Sequence, residues 1–167
     1  MPLHDWARAL EAAQFAMSMR ESLYWFPVLI MTHVTGLLVA AGTVVFWDLR
    51  LLGFGLRGVP FSRVGDALLP WTWAGFTIMA TSGSLLVCTE AGRLYGNTPF
   101  RVKAVMLILA GLNVLTFHRS VYRGVREWDL APVAPLRARI AGGLSIFLWF
   151  SIMAAGRSIG YTLNYAP

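Results

Sequence analysis

The first long apolar run of the chain is SLYWFPVLIMTHVTGLLVAAGTVVFW, residues 22–47, which contains no charged residue and a single histidine, His33. A bilayer core of about 30 Å is crossed by about 20 helical residues, so this run is long enough to span a membrane. Residues 67–89 and residues 140–156 form two further runs without a charged residue. We therefore expect a transmembrane helix in each of these three runs.

The remaining run, third in chain order, is shorter, because only 14 uncharged residues separate Lys103 from His118. A stretch of this length is also compatible with a buried segment that does not cross the bilayer. A helix over residues 99–122 crosses if the cations at its start reach one membrane face and His118 and Arg119 reach the other. We expect this run to be a span as well.

The composition agrees with a membrane protein. Charged residues make up 13% of the 167 residues and hydrophobic residues 57%, whereas soluble domains carry roughly 25% charged residues. The mean hydropathy is +0.61. The net charge of +6 comes from basic residues that separate the apolar runs and do not form one basic face, so the sequence does not predict binding to nucleic acid. The length predicts one domain.

Short loops join the four runs, and short loops make consecutive helices antiparallel neighbours. The sequence therefore predicts an all-α fold, an integral membrane up-down four-helix bundle over residues 22–161. Residues 1–21 are expected to form an amphipathic helix on the membrane surface, with Trp6 and Leu10 on its apolar side and Glu11 opposite. Binding of this helix to a partner protein is the alternative.

The distribution of arginine and lysine predicts an orientation. The N-terminus, the second loop and the C-terminal end together hold six of these residues, and the first and third loops hold eight. Because basic residues are enriched in cytoplasmic loops, we expect both termini on the periplasmic side of a bacterial inner membrane.

Two histidines are the principal candidates for function, since ionisable residues inside a membrane usually have a functional role. His33 lies near the middle of the first span and His118 near the end of the third. Histidines on facing helices hold haem iron in helix bundles, so one interpretation is that both ligate one haem b. The alternative is structural, with a neutral His33 hydrogen-bonded across the bundle to Asn113. The chain has only three histidines, and His4 lies outside the spans.

Small residues accompany both histidines. Gly36 shares a helix face with His33, and Gly111 shares a face with His118. Such residues either let two helices pack closely or leave room for a flat macrocycle. Both explanations remain open at this point.

Basic residues near the two membrane faces are candidates for holding haem propionates, with lipid headgroups as the alternative partners. Arg119 belongs to one face, and Lys103 and Arg157 belong to the other. Asp48 ends the first span, where the helix dipole disfavours an anion. We therefore expect an arginine of the first loop, or of the end of the third span, to form a salt bridge with Asp48.

The relative depth of His33 and His118 can be counted in two ways. Counted from the starts of their spans, at Leu23 and Phe100, the two histidines are offset by eight residues, or about 12 Å. Counted back from the tripeptide Trp-Asp-Leu that follows both spans, the offset is four residues, or about 6 Å. We expect His118 to be buried against the first span.

Five short motifs resemble a bacterial family of small four-helix inner-membrane proteins of unknown function. The motifs are WDLRLLG at 47–53, PWTWAGF at 70–76, NTPFRVK at 97–103, LAGLNVLTFH at 109–118 and AGRSIGY at 155–161. The resemblance covers residues 25–161. More distantly, the layout is similar to small membrane b-type cytochromes, through the four helices and the histidines on the first and third.

These observations favour a membrane protein that binds haem b and transfers electrons, working with quinone or with a partner dehydrogenase. A haem-free accessory or scaffold subunit of a larger membrane complex is an alternative, and a small transporter or proton relay is another. The chain has no glycine-rich phosphate loop, cysteine pair or nucleophile elbow. Whether the protein is an enzyme stays open.

Overall fold

A computed structural model describes residues 2–56 and 58–165, with the side chains of residues 4–56 and 58–163. Every regular element in this part of the chain is helical, which confirms the all-α class. In chain order the elements are α1 (Pro2–Glu11), α2 (Gln14–Glu21), α3 (Trp25–Leu51), α4 (Phe61–Thr89), α5 (Ala91–Tyr95), α6 (Thr98–Thr116), a π-helical turn (Phe117–Val121), a 3-10 turn (Tyr122–Gly124), α7 (Val125–Trp128) and α8 (Leu136–Tyr165).

Three helical segments are long and apolar enough to cross a membrane, as expected of a membrane protein: Trp25–Leu51, Thr98–Trp128 and Leu136–Leu163. The short run after Lys103 is therefore part of a candidate span, because helical structure continues through the π-helical and 3-10 turns. α4 is just as long, with 29 residues, but its threonines, serines and tryptophans make it less apolar than these three.

α3 and α4 pack closely as antiparallel neighbours. A Cβ atom added to Gly36 would lie 2.6 Å from the backbone nitrogen of Met79, and one added to Gly75 would lie 2.5 Å from the backbone nitrogen of Ala40. Neither position has room for a side chain, because backbone atoms cannot yield as side-chain ends can. The explanation of Gly36 as room for a macrocycle is therefore wrong: Gly36 serves helix packing.

The other two long helices form a second pair. α8 packs against both α6 and α3, whereas α4 and α6 do not pack along each other. No residue of α6 is fully buried. The four long helices therefore surround a space that is open on one side, between α4 and α6.

Arg50, near the end of α3, organises the loops at this end of the molecule. Its side chain is 1% exposed and donates hydrogen bonds to the carbonyl oxygens of Val59 (3.1 Å), Ala131 (3.4 Å) and Pro132 (3.4 Å). The guanidinium also lies 3.8 Å from the centre of the Phe61 ring. A delocalised, fork-shaped cation suits such a site, since it donates several hydrogen bonds and stacks on a ring at once.

Asp129 caps the start of α4. Its carboxylate accepts hydrogen bonds from the N–H (2.8 Å) and the hydroxyl (2.7 Å) of Ser62, and its carbonyl oxygen accepts one from the N–H of Phe61 (3.1 Å). Partial desolvation acts to raise the pKa of Asp129, but the hydrogen bonds from Ser62 and the charge of Arg50 outweigh it and hold the pKa below its ordinary value. Helix N-termini favour such a carboxylate, because their first N–H groups have no partner within the helix.

The N-terminal segment forms two helices where one was expected, because Ala13 adopts an extended conformation between α1 and α2. Arg20 and Glu11 form an ion pair across this break, with 2.8 Å between Nη1 and Oε1. The second carboxylate oxygen of Glu11 accepts a hydrogen bond from the N–H of Gly92 at 2.8 Å. The segment is therefore attached to the α4–α5 junction, while Trp6 stays 75% exposed.

Candidate functional site

The space between the two helix pairs is a cavity of about 1080 Å³. Its lining comes from α3, α4, α6 and α8 and is mainly apolar, with a few polar side chains at its two ends. Pockets for small molecules in proteins usually measure roughly 300–1,000 Å³ and share this pattern of apolar walls with a few placed polar groups. Since α4 and α6 do not pack along each other, the cavity is open on that side.

His33 lies at one end of the cavity, with its ring against α4. Its Nδ1 lies 2.9 Å from the carbonyl oxygen of Met79 and 3.3 Å from the hydroxyl oxygen of Ser82. A carbonyl oxygen only accepts, so Nδ1 carries the hydrogen and donates a hydrogen bond to the carbonyl of Met79. Nε2 then has a free lone pair, and no described residue forms a hydrogen bond with it. This atom is not fully buried, and His33 lines the cavity. The predicted hydrogen bond between His33 and Asn113 is wrong, because the hydrogen-bond partners of His33 lie on α4.

Gly83 makes this position of the ring possible. A Cβ atom added to Gly83 would lie 2.8 Å from Cε1 of His33, so any larger residue would displace the imidazole. Sequence analysis did not single out Gly83 or Ser82. The signal was present in the string Ser82-Gly83-Ser84, where three small residues interrupt an apolar span.

Lys103 supplies the positive charge at the same end of the cavity. It lines the cavity and is close enough to His33 for electrostatic repulsion. A Cβ atom added to Gly156 of α8 would lie 3.5 Å from its ammonium nitrogen. No hydrogen bond or ion pair joins this ammonium to the described residues. Lys103 thus remains a candidate partner for an anionic group of a ligand.

His118 lies at the opposite end. Its Nδ1 is 2.9 Å from the carbonyl oxygen of Val114, one turn earlier, so Nδ1 donates and Nε2 again has the free lone pair. Its ring centre lies 6.0 Å from that of Trp47 on α3 and 5.2 Å from that of Tyr122. His118 therefore packs against the first span as expected, at the level of Trp47, but it is only partly buried, so the expected burial is not met.

The two histidines are far apart. Fourteen residues of α3 separate His33 from Trp47, which is about 21 Å along the helix axis. The ring centre of His118 lies 6.0 Å from that of Trp47. Even if this distance is subtracted in full from the helix length, the two imidazoles are still on the order of 15 Å apart. Two axial ligands of one iron must face each other across one macrocycle, so ligation of a single haem by both histidines is wrong for this arrangement. Both ways of counting the relative depth of His33 and His118 from the sequence therefore gave too small a separation.

Asp48 is buried at the His118 end, and the described residues do not provide the salt bridge that the sequence predicted. The residue is 5% exposed and lines the cavity, with Ser145 of α8 near its carboxyl group. Among the described residues, its Oδ2 has no hydrogen-bond partner, and neither has Nε1 of Trp47. Within the described residues no arginine or lysine forms an ion pair with Asp48, because Arg50 turns to the loop carbonyls.

The remaining predicted site residues divide into two groups. Asn113 and Gly111 line the cavity; Asn113 donates a hydrogen bond to the carbonyl oxygen of Ala141 (3.0 Å), and no side chain crowds Gly111. Arg119 and Arg157 are exposed and lie outside the cavity lining, and Arg157 donates to the hydroxyl of Tyr161 at 3.0 Å. Neither arginine lines the cavity, and their role in holding propionates stays a prediction.

Comparison with known proteins gives one match. No curated protein and no solved structure matches the chain. The sequence profile of a family of unknown function, DUF6644, matches residues 26–162, nearly the same range as the five motifs. Because this match covers most of its length, the chain belongs to the family of unknown function DUF6644.

Proposed function

We propose that the protein is a membrane-embedded electron-transfer or anchor subunit that binds one haem b in the cavity through His33, and that it works with quinone or with a partner dehydrogenase. The observation that carries this proposal is the state of His33. Its Nδ1 is fixed by a backbone carbonyl, while Nε2 is free at a large apolar cavity. Metal-ligating histidines characteristically have their second nitrogen bonded to a carbonyl or carboxylate in this way.

The other residues at this end of the cavity also fit haem. The macrocycle is flat and apolar, and the cavity walls are apolar over most of about 1080 Å³. The propionates are anionic, and Lys103 is a cation without a described partner at the same end. Gly111 adds open space on α6. When bound, haem iron supplies one-electron chemistry, and this chain supplies the axial ligand, the apolar walls and a positive charge.

The proposal includes a topology for the membrane domain. α4 is taken as a fourth span, since its 29 residues run antiparallel to α3 and carry no charge from Ala67 to Thr89. The molecule is then an up-down four-helix bundle in a bacterial inner membrane. The arginine bias places both termini in the periplasm.

The visible absorbance spectrum of the full chain, purified in detergent from cells supplied with a haem precursor, tests the proposal. We expect a Soret band, and a pyridine haemochrome assay that gives one haem per chain. A colourless protein that stays colourless after incubation with haemin would exclude the proposed function.

Asp48 favours a second candidate, a small transporter or proton relay. A carboxyl group that is 5% exposed in a span and has an oxygen without a partner belongs to a class of residues that often take part in proton transfer. This candidate predicts a colourless protein whose reconstituted vesicles carry protons, and an Asp48→Asn variant without that flux. Coloured protein, with equal flux in both proteins, excludes it.

A further inference from the structure

We infer that the His118 end of the cavity binds the hydroxylated ring of a quinol, with the hydrocarbon tail lying in the apolar part of the cavity. The inference rests on the proposed function, because it gives the binding site of the quinol that would donate electrons to the haem. It concerns a different part of the cavity from His33, about 21 Å away along α3.

The polar groups at this end that a ligand can reach accept hydrogen bonds, since the indole N–H of Trp47, a donor, is fully buried. Nε2 of His118 has the free lone pair, because Nδ1–H is bonded to Val114, and it is not sealed by protein. The amide nitrogen of Asn113 is bonded to Ala141, which leaves its Oδ1 as a second acceptor. Neither acceptor has a described hydrogen-bond partner. A ligand that suits them must donate, and a quinol has hydroxyl donors where a quinone has only acceptors.

The surroundings suit an aromatic ring. Trp47, Phe117 and Tyr122 surround the imidazole, with ring centres 5.2–6.0 Å from that of His118. Aromatic rings pack favourably against one another at such distances, beyond the effect of buried area. The head group would also lie near the membrane interface, since twenty residues of continuous helix separate Thr98 from His118, or about 30 Å.

The helix geometry at His118 is itself unusual. The N–H of Tyr122 bonds to the carbonyl oxygen of Phe117, five residues earlier, so the helix is widened over Phe117–Val121. Such π-helical turns are frequently found at functional sites. The turn keeps Phe117, His118 and Tyr122 together on one side, facing Trp47.

Access for the ligand is provided by the gap between α4 and α6. The wall on either side is apolar, with Leu69 and Phe76 from α4 and Leu107 and Leu115 from α6. A quinol is dissolved in the bilayer, so it can enter sideways with its tail in the gap, without passing through water.

The test uses the full chain in detergent with decylubiquinol, held reduced by dithionite, and with decylubiquinone as a probe of equal hydrophobicity. Binding to the folded state raises the midpoint of thermal unfolding, and at a given ligand concentration tighter binding raises it more. The midpoint is read from helical circular dichroism. We expect quinol to raise the midpoint more than quinone does. In His118→Phe, which keeps the volume but removes the acceptor, affinity for quinol should fall about tenfold, the equivalent of one lost hydrogen bond.

Two matched variants make the result specific. His118→Gln returns an acceptor and should recover part of the affinity, whereas His4→Phe, the same exchange at a histidine outside the cavity lining, should bind quinol like the wild type. Equal shifts with quinol and quinone, or an unchanged affinity in His118→Phe, overturn the inference. If the protein contains no haem but quinol raises the midpoint, the quinol site is supported and the proposed haem function is excluded. If the protein contains haem but quinol does not change the midpoint, the quinol site is excluded and the haem function is not.

Discussion

At the scale of single residues, the proposed haem site depends on how His33 is held. The imidazole is fixed on one side by the carbonyl of Met79 and fits against α4 only because residue 83 is glycine. Its free nitrogen therefore has a defined direction before any ligand arrives. Preorganisation of this kind lowers the cost of binding, since no side chain has to be ordered on association.

The substitution Gly83→Ala should weaken haem binding. The new methyl group would lie 2.8 Å from Cε1 of His33 and would push the imidazole out of its preferred rotamer. Such a distortion costs about 1 kcal/mol, or roughly a fivefold loss of haem affinity. The ratio of Soret to protein absorbance during haemin titration measures it. Thr81→Ala, two residues away and outside the cavity lining, is the control and should titrate like the wild type. Equal affinity in the Gly83 variant would contradict this account of the ligand.

At the scale of elements, the close contact between α3 and α4 requires glycine at particular positions only. Gly36 faces the backbone of α4, whereas Gly42, six residues later on the same helix, has no atom near the place of its missing side chain. The same residue type therefore has opposite consequences on two faces of one helix.

Gly36→Ala and Gly42→Ala should differ in stability. The first adds a methyl group against the backbone nitrogen of Met79, and overpacking of this kind destabilises by about 1–3 kcal/mol. The second should be neutral or stabilising by up to about 1 kcal/mol, because alanine favours helix over glycine. Unfolding by sodium dodecyl sulfate, followed by circular dichroism, compares the two. Equal stabilities would show that α3 and α4 are not in close contact at Gly36.

The capping of α4 by Asp129 should make stability depend on pH. Because the folded state lowers the pKa of Asp129, its carboxylate stabilises the fold above the ordinary aspartate pKa of about 3.9, and this contribution is lost as the pH falls through the lower pKa of the folded state. Asp129→Asn should therefore unfold at a lower temperature than the wild type near neutral pH, with a smaller difference in acid.

Glu127→Gln, which removes an exposed carboxylate of α7, is the control for that comparison. Its midpoint of thermal unfolding should follow that of the wild type at every pH. A gap between Asp129→Asn and the wild type that stays constant down to the most acid pH would argue against the cap.

Charge-free intervals located the long helices well, because burial in lipid is a composition effect that the sequence displays directly. The site was predicted less well, since it depends on the relative depth of neighbouring helices. His118 lies level with Trp47, and nothing in the sequence gives the vertical offset of α6 against α3. The π-helical turn at Phe117–Val121 was not predicted either, because the sequence does not show this departure from regular α-helix.

At the scale of the whole molecule, the number of spans fixes the relation between the two termini. Three helical segments satisfy the length and polarity needed to cross a membrane, and α4 is proposed as a fourth. An even number of spans places both termini on one side, and an odd number places them on opposite sides.

Reporter fusions at the two ends distinguish these cases. We expect alkaline phosphatase, which is active only in the periplasm, to be active at both the N-terminus and the C-terminus. A cytoplasmic fluorescent reporter at the same places should be dark. Activity at one end only would mean that α4 does not cross, and activity at neither end would reverse the orientation.

The cavity between the helix pairs is the proposed haem site, and His33 is proposed as its only histidine ligand. The direct measurement is the haem content of His33→Ala and His118→Ala, purified side by side and quantified by pyridine haemochrome. We predict that His33→Ala contains little haem, while His118→Ala keeps the content of the wild type, because the imidazoles lie on the order of 15 Å apart. Loss of haem in both variants, or in His118→Ala alone, would contradict the account.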